Sequence, residues 1–142
     1  MDLELPRQLD QSAIAKKPVV LAVDDDADNL LVMTYVLELL DCLFITAGDG
    51  QTALSLAQTH QPKLILLDII LPSLNGLEVI ARLKQVPQTR GIPIIAVTSL
   101  VSIADREEIL RAGCSDYISK PYVLEDLEAI IRRYLSLPPP QS

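Results

Sequence analysis

The segment from Lys63 to Pro72, KLILLDIILP, places a single aspartate, Asp68, inside a run of aliphatic side chains. A short aliphatic run of this kind predicts a strand that is buried on both faces of a sheet. A carboxylate in such a place is costly to desolvate unless a partner compensates its charge. Asp68 therefore lies either at the exposed end of the strand or beside a cation with which it performs some chemistry.

Composition limits the classes of protein to which the chain can belong. With 142 residues, 49% of them hydrophobic and only 4% aromatic, the chain is long enough for one domain with an aliphatic core. Its net charge of −7 argues against direct binding to nucleic acid or to an anionic membrane. No apolar run approaches the roughly 20 residues of a membrane span, and the acidic N-terminus is not a signal peptide.

The cysteines and the single histidine carry no recognisable site. Cys42 and Cys114 show neither a redox nor a metal-ligand spacing, which indicates two buried, reduced thiols of a cytoplasmic protein. His60 stands near the predicted end of a helix, where a surface histidine is favoured by the helix dipole.

Strand and helix patterns alternate along residues 18–136, which we predict to be one domain. Residues 1–17 show no clear period and are predicted to form a loosely held arm, and the proline-rich residues 137–142 a tail. The predicted strands, each followed by a helical pattern, are Val19–Val23, Leu43–Thr46, Leu64–Leu67, Ile92–Val97 and Asp116–Ser119. Five such units predict an α/β fold, an open parallel sheet with helices on both faces.

Polar residues stand at the carboxyl ends of these strands, where open α/β sheets bind their ligands. Asp24–Asp26 follow the first strand, Asp68 the third, Thr98 ends the fourth and Lys120 follows the fifth. A cluster of carboxylates is unstable without a cation, and hard oxygen ligands suit Mg²⁺. Lys120 and Thr98 can contact a phosphoryl oxygen at the same edge.

At these residues the chain resembles the receiver domain of bacterial two-component response regulators. The motifs are LAVDDDADN (21–29), DIILPSLNG (68–76), IIAVTS (94–99) and YISKP (117–121), in order and each at a predicted strand end. The resemblance covers residues 18–136. It implies a flavodoxin-like sheet with strand order 2-1-3-4-5 and five flanking helices.

The resemblance also implies a role for each matching residue. Asp68 is expected to be the phosphoacceptor, with Lys120 paired to the phosphoryl group. Asp25 is expected to bind Mg²⁺ directly, Asp24 through a water molecule, and Ile70 through its backbone carbonyl, and Asp68 is expected to be a further ligand of the metal.

Further expectations concern switching and the lifetime of the signal. Thr98 is expected to bond the phosphoryl group, Tyr117 to be the aromatic switch, and the peptide bond between Lys120 and Pro121 to be cis. Ile70 and Leu100 occupy the positions two after the acceptor and two after the threonine. Because both are aliphatic, they should hinder the hydrolytic water and slow self-dephosphorylation.

The resemblance finally implies partners rather than an enzymatic activity. The expected phosphodonor is a histidine kinase or a histidine phosphotransfer protein. Because the chain stops soon after the fifth helix, we expect a stand-alone receiver that signals to a target protein. The expected contact surface is the fourth helix, fifth strand and fifth helix, including Ile103, Tyr117 and Tyr122, which can also support a homodimer.

Several alternatives remain open from the residues alone. Asp26 can simply cap the first helix. Residues 48–53, GDGQTA, match a dinucleotide-binding pattern after a strand, although the nearby carboxylates would repel a pyrophosphate. Asp24–Asp26 also offer the DxD of an aspartyl phosphohydrolase, but Asp28 stands where that family has Thr or Val. A receiver fold used only for docking, without phosphorylation, is a further alternative.

Overall fold

One parallel sheet forms the centre of the computed structural model, which describes residues 17–100 and 102–138. Its strand order is β2-β1-β3-β4-β5, which confirms the predicted topology. The strands are β1 (Val19–Val23), β2 (Leu43–Ala47), β3 (Leu64–Leu67), β4 (Ile94–Thr98) and β5 (Asp116–Ser119).

A helix follows each strand and begins close to the carboxyl edge of the sheet. The helices are α1 (Ala27–Leu39), α2 (Gly50–His60), α3 (Gly76–Gln85), α4 (Ile103–Ala112) and α5 (Leu124–Leu135). The first four have a side chain that accepts a hydrogen bond from a backbone N–H of the first turn, provided by Asp26, Asp49, Asn75 and Ser102. The helix starts are thus encoded locally, and they place the loops that could form a site at one edge.

Three predicted strand boundaries differ from the observed ones, and one of them is the end of β4, which lies at Thr98 rather than at Val97. β4 begins at Ile94 rather than at Ile92, because Pro93 lacks the N–H that a ladder needs and the N–H of Ile92 bonds to the carbonyl of Thr89 in the preceding loop. β2 extends one residue beyond the prediction to Ala47, which pairs with Val23.

The core lies on both faces of the sheet and follows the two-residue period of the strands. Leu21, Ile65 and Ile94 point towards the face that α2, α3 and α4 cover. Val20, Leu64 and Ile95 point towards the face that α1 and α5 cover. Burial of alternate side chains on opposite faces is the reason that the strands read as continuous apolar runs.

The predicted arm and tail lie largely outside the described residues, namely residues 1–16 and 139–142. Leu137, which the sequence assigned to the tail, packs partly buried against the α1–α5 side of the core. No helix in the part of the chain that the structure describes has both the length and the apolar character needed to cross a lipid bilayer.

Candidate functional site

Three carboxylates from two neighbouring strand ends meet at the carboxyl edge of the sheet. One carboxylate oxygen each of Asp24, Asp25 and Asp68 lies within 4.8 Å of one from each of the others. Asp24 is 0% and Asp68 6% exposed, whereas Asp25 is exposed. The parallel pairing of β1 with β3, which aligns Val23 with Leu67, places these residues side by side.

Lys120, which directly follows β5, bridges two of the three carboxylates. Its Nζ donates to Oδ2 of Asp24 at 2.7 Å and to Oδ2 of Asp68 at 3.0 Å. The cluster therefore contains three carboxylates and one ammonium group, which bonds only to Asp24 and Asp68, and negative charge remains in excess. An excess of negative charge among hard oxygens is what a divalent cation such as Mg²⁺ compensates.

The buried Asp24 is held by several hydrogen bonds. Its Oδ1 accepts from the backbone N–H of Asp26 at 2.9 Å and from Nδ2 of Asn29 at 3.4 Å, while Oδ2 accepts from Lys120. Both of its oxygens are thus engaged by protein groups, whereas Asp25 faces solvent. This division of roles agrees with an indirect contact of Asp24 with a cation and a direct contact of Asp25.

Asp68 has one oxygen bonded to the loop that follows it and one bonded to Lys120. Oδ1 accepts from the backbone N–H of Ile70 at 3.1 Å, and Oδ2 accepts from Lys120. Burial raises the pKa of the Asp68 carboxyl group, and the neighbouring Asp24 adds to this, although the bonds from Lys120 and Ile70 act in the opposite direction. For Lys120, burial disfavours the charged form, but its two carboxylate partners outweigh burial and raise its pKa.

The raised pKa of Asp68 predicts how stability of the metal-free protein depends on pH. The folded protein binds the proton of the Asp68 carboxyl group more tightly than the unfolded chain does. The free energy of unfolding should therefore fall as pH rises above the ordinary pKa of aspartate, about 3.9, and Asp68 ionises. An asparagine side chain in its place cannot ionise. In the presence of a chelator, the free energy of unfolding of Asp68→Asn minus that of the wild type should therefore increase as pH rises. Urea titrations across this range would measure the difference, and an advantage that shrinks with rising pH would contradict the expectation.

The loop between Asp68 and α3 is shaped by close backbone contacts. The N–H of Gly76 donates to the carbonyl of Ile69 at 2.8 Å. A Cβ atom at Gly76 would lie 2.5 Å from Cα of Ile69 and 2.8 Å from the carbonyl oxygen of Asp68, so only glycine fits. Ser73 has a positive φ of 64° in the same loop. Ile70, at the start of this loop, has a side chain that is 53% exposed.

Thr98 ends β4 and is fully buried. Its Oγ1 accepts from the backbone N–H of Leu100 at 3.3 Å, and its carbonyl accepts from the N–H of Lys120 at 2.9 Å. Leu100 packs partly buried against the α2–α4 side of the core. The peptide bond between Lys120 and Pro121 is cis, as the resemblance implies.

Tyr117 of β5 has a partner that the sequence did not predict. The guanidinium of Arg106, on α4, lies 5.0 Å from the centroid of the Tyr117 ring. Tyr117 is half-buried against the α2–α4 side of the core. A cation–π contact of this kind contributes about 0.5–1 kcal/mol at an exposed site. Arg106 and Tyr117 belong to different elements, so no helix or strand period links them, and no signal in the sequence indicated the pair.

The three residues of the predicted contact surface do not share one environment. Ile103, at the start of α4, is 74% exposed. Tyr117 packs on the α2–α4 side of the core, whereas Tyr122 packs partly buried on the α1–α5 side. Ile103 and Tyr117 are therefore the better candidates for a common surface.

The dinucleotide alternative fails at the start of α2. Asp49 already occupies this helix N-terminus, where its carboxylate accepts from the backbone N–H of Thr52 at 2.8 Å. That bond lowers the pKa of Asp49 and keeps a negative charge where a pyrophosphate would bind. A Cβ atom at Gly50 would lie 2.5 Å from the carbonyl oxygen of Leu74, so this glycine serves packing against the loop before α3.

The phosphohydrolase alternative requires Asp26 at the carboxylate cluster, but in the structure Asp26 binds the start of α1 instead. Oδ1 of Asp26 accepts from the backbone N–H groups of Asp28 and Asn29 at 2.8 and 3.2 Å. Asp26 therefore caps α1, as the simpler interpretation predicted, and it is not one of the three clustered carboxylates.

Comparisons with known proteins agree with this geometry. The family model described as the response regulator receiver domain matches residues 20–132. The polar-differentiation response regulator DivK of Brucella anthropi is 40% identical over 116 residues, which cover 82% of this chain and 94% of DivK. An uncharacterised 14.6 kDa protein of Leptolyngbya boryana is 34% identical, with 84% and 92% of the two chains covered.

Solved structures extend the comparison to the fold. The receiver domain of the Pseudomonas aeruginosa sensor histidine kinase PA1611, solved with a magnesium ion in its active-site cleft, superposes with a TM-score of 0.79 at 31% identity, covering 84% of this chain and 98% of that one. Vibrio cholerae chemotaxis protein CheY4 gives a TM-score of 0.79 at 27% identity, with 83% and 98% covered. The chain described here therefore belongs to the family of response regulator receiver domains.

Proposed function

We propose that this chain is a response regulator that accepts a phosphoryl group on Asp68 in a Mg²⁺-dependent reaction. The observation that carries the proposal is the position of the Asp68 carboxylate, 3.0 Å from the Lys120 ammonium and clustered with Asp24 and Asp25. The donor is a histidine kinase or a histidine phosphotransfer protein. The phosphorylated chain then acts through contact with a target protein.

In the proposed reaction, an oxygen of the Asp68 carboxylate attacks the phosphorus atom of the donor's phosphohistidine. The new O–P bond forms as the P–N bond breaks, and its electron pair leaves with the imidazole of the donor. Lys120 is within reach of both Asp24 and Asp68 and can bond a phosphoryl oxygen beside them. Such a transfer depends on positioning and charge neutralisation, which fixed charges at a strand end supply.

The residues present fit a bound Mg²⁺ ion. Oxygens of Asp24, Asp25 and Asp68 lie close enough to surround one cation, and their negative charge exceeds that of Lys120. The backbone carbonyl of Ile70, two residues after the acceptor, is a further oxygen in the same loop. When bound, the ion would neutralise charge that the phosphoryl oxygens bring to the site.

The direct metal role of Asp25 can be tested by its replacement. Asp25→Asn should weaken Mg²⁺ binding about tenfold or more, because a ligand oxygen loses its charge. Removing one of three clustered carboxylates should also relieve repulsion, so the metal-free variant should be at least as stable as the wild type. Thermal melts across a Mg²⁺ titration would report both effects.

Asp28→Asn is the matched control for this experiment. Asp28 is an exposed acid in the first turn of α1, outside the carboxylate cluster. Its Mg²⁺ response should equal that of the wild type. An Asp25→Asn protein with an unchanged response would exclude Asp25 as a ligand.

We further propose that phosphorylation shifts the balance between two positions of the Tyr117 side chain. Thr98 would move its hydroxyl group from the N–H of Leu100 towards the phosphoryl group, and Tyr117 would fill the space that Thr98 leaves. The contact between Arg106 and Tyr117 would hold the ring in its observed position until then. The altered surface would involve α4 and β5, including the exposed Ile103.

The lifetime of the phosphorylated state is expected to depend on Ile70. Its exposed aliphatic side chain follows Asp68 closely and offers no hydrogen bond to a hydrolytic water. Ile70→Asn should accelerate the decay of phospho-Asp68 about tenfold or more, because an amide can orient the water. The combination with Leu100→Glu should act in the same direction.

The decay is measured by intact mass after removal of the phosphodonor. Ile103→Asn, which changes another exposed isoleucine, on α4, is the control and should decay like the wild type. If Ile70→Asn and the double variant both decay no faster, these two positions do not set the lifetime.

A further inference from the structure

The outer edge of β2 lacks the features that keep an exposed strand from pairing with another segment. Strand β2 is one of the two outer strands of the sheet, and its sequence LFITA contains neither a charged residue nor a proline. The other outer strand, β5, differs, because the side chains of Arg133 and Tyr134 from α5 donate to its charged Asp116. An uncharged edge such as that of β2 is expected to be covered by a further segment.

Two residues of β2 direct their backbone N–H and carbonyl groups away from the sheet. The N–H of Leu43 donates to the carbonyl of Pro18, so the backbone of Leu43 is directed towards β1. Because successive residues of a strand alternate in this direction, the backbone groups of Phe44 and Thr46 are directed outwards. Both side chains are exposed as well, that of Phe44 to 37%. Each of these two residues offers one donor and one acceptor to an added strand.

A groove lies beside this edge, between the C-terminal ends of α1 and α2. It is lined by Leu43, Phe44 and Ile45 of the edge, by Glu38 of α1, by His60 of α2 and by Lys17. Lys17 also forms an ion pair with Asp41, in which 3.0 Å separate Nζ from Oδ1. The chain that leads to Lys17 therefore starts in the groove, beside the first residues of β2.

The segment before Lys17 is long enough to form a strand on this edge. Three extended residues span about 10 Å, which is the distance of two strand spacings from β1 to a position outside β2. Five further residues match the length of β2. Pro6 cannot donate an N–H to a strand, but residues 7–16 contain no proline and provide ten residues for these eight places.

The start of β1 fixes the direction of an added strand. Lys17 lies at the amino end of β2, since Val19 pairs with Leu43. A segment that ends there and covers β2 has to run from the carboxyl end of β2 to its amino end. It is therefore antiparallel to β2, and antiparallel strands allow a short connection such as residues 14–16.

A second copy of the chain fits this edge less well. Two chains of net charge −7 repel each other. The symmetric antiparallel register that pairs Phe44 with Thr46 also brings Asp41 of each copy towards Asp49 of the other. Residues 7–16, by contrast, have two basic residues and one acidic residue, and they are attached beside the edge.

We propose that residues 7–16 of the chain itself add a sixth, antiparallel strand to the outer edge of β2. Residues 7–13 supply the paired residues and residues 14–16 the connection to β1. The added backbone bonds to the N–H and carbonyl groups of Phe44 and Thr46, and the added side chains cover the Phe44 ring. The carboxylate cluster is not involved, so the proposal is independent of phosphorylation at Asp68.

Hydrogen exchange of the Phe44 and Thr46 amides, followed by NMR in the full chain, tests the proposal. Any five paired residues between positions 7 and 13 include both 10 and 11, and one of these two faces β2. Asp10→Pro combined with Gln11→Pro therefore removes a donor in every register, and the two amides should exchange about tenfold or more faster than in the wild type. The amide of Ile45, which is directed towards β1, should exchange equally slowly in both proteins and so reports an intact sheet.

Asp2→Pro combined with Leu3→Pro is the matched control, because these positions precede Pro6 and lie outside the proposed strand. It should exchange like the wild type. Fast exchange of Phe44 and Thr46 in the wild type would overturn the proposal, because their N–H groups would then have no partner. Protection that survives the substitutions at positions 10 and 11 would overturn it too, and an increase of that protection with protein concentration would assign the edge to a second copy.

Discussion

Replacement of Asp68 by asparagine is expected to abolish phosphoryl incorporation from acetyl phosphate. The asparagine amide has nearly the same shape as the carboxylate but lacks the nucleophilic charged oxygen that the proposed reaction needs. The fold should persist, because Asp68 makes one loop bond to Ile70 and one ion pair to Lys120, and Lys120 keeps Asp24 as a partner. Removal of a buried carboxylate with a raised pKa also costs little at neutral pH.

Intact-mass spectrometry after incubation with acetyl phosphate and Mg²⁺ would measure the loss. Asp28→Asn, a change of the same kind at an exposed position of α1, is the control and should be modified like the wild type. A wild type that is modified only with Mg²⁺ present would support the metal dependence as well. Equal modification of Asp68→Asn and wild type would show that another residue accepts the phosphoryl group.

Among the substitutions considered, replacement of Lys120 by alanine is expected to lower the free energy of unfolding the most. Asp24 is fully buried and Asp68 nearly so, and both lose their ammonium partner in this variant. Breaking a buried ion pair by removing one partner typically costs about 3–5 kcal/mol. Because the Lys120 side chain is 20% exposed, solvent can partly replace it, and we expect a loss of about 2–3 kcal/mol without metal.

The same variant should respond more strongly to Mg²⁺ than the wild type does. A cation bound to the three carboxylates would supply the positive charge that Lys120 no longer provides, so saturating Mg²⁺ should restore much of the lost stability. Urea unfolding in chelator and in Mg²⁺ gives both values. Lys63→Ala, at an exposed lysine before β3, is the control and should change neither.

A Lys120→Ala protein that is as stable in chelator as the wild type would contradict this account. It would mean that the carboxylates do not depend on the ammonium group for compensation. A variant that is destabilised but does not respond to Mg²⁺ would instead separate the role of Lys120 from the proposed metal site.

The sequence alone determined the order of the elements and the edge at which the site lies. Short aliphatic runs that alternate with helical patterns predict strands covered by helices on both faces, and parallel strands bring all their carboxyl ends to one edge. Asp24, Asp25, Asp68, Thr98 and Lys120 could therefore be placed together before any contact was known. The cap provided by Asp26 is also a local feature, since it involves N–H groups two and three residues away.

Only the tertiary structure decided how these residues share charge and solvent. Lys120 bonds to Asp24 and Asp68, which lie 96 and 52 residues away in the sequence. That it bonds to these two carboxylates depends on the register of β4 with β5 and on the burial of Asp24. The contact of Arg106 with Tyr117 likewise joins a helix and a strand that no period relates. Helix α1 carries apolar side chains on more than one side, and its packing in the tertiary structure buries Met33 and Leu37 while Leu31 and Leu39 stay exposed.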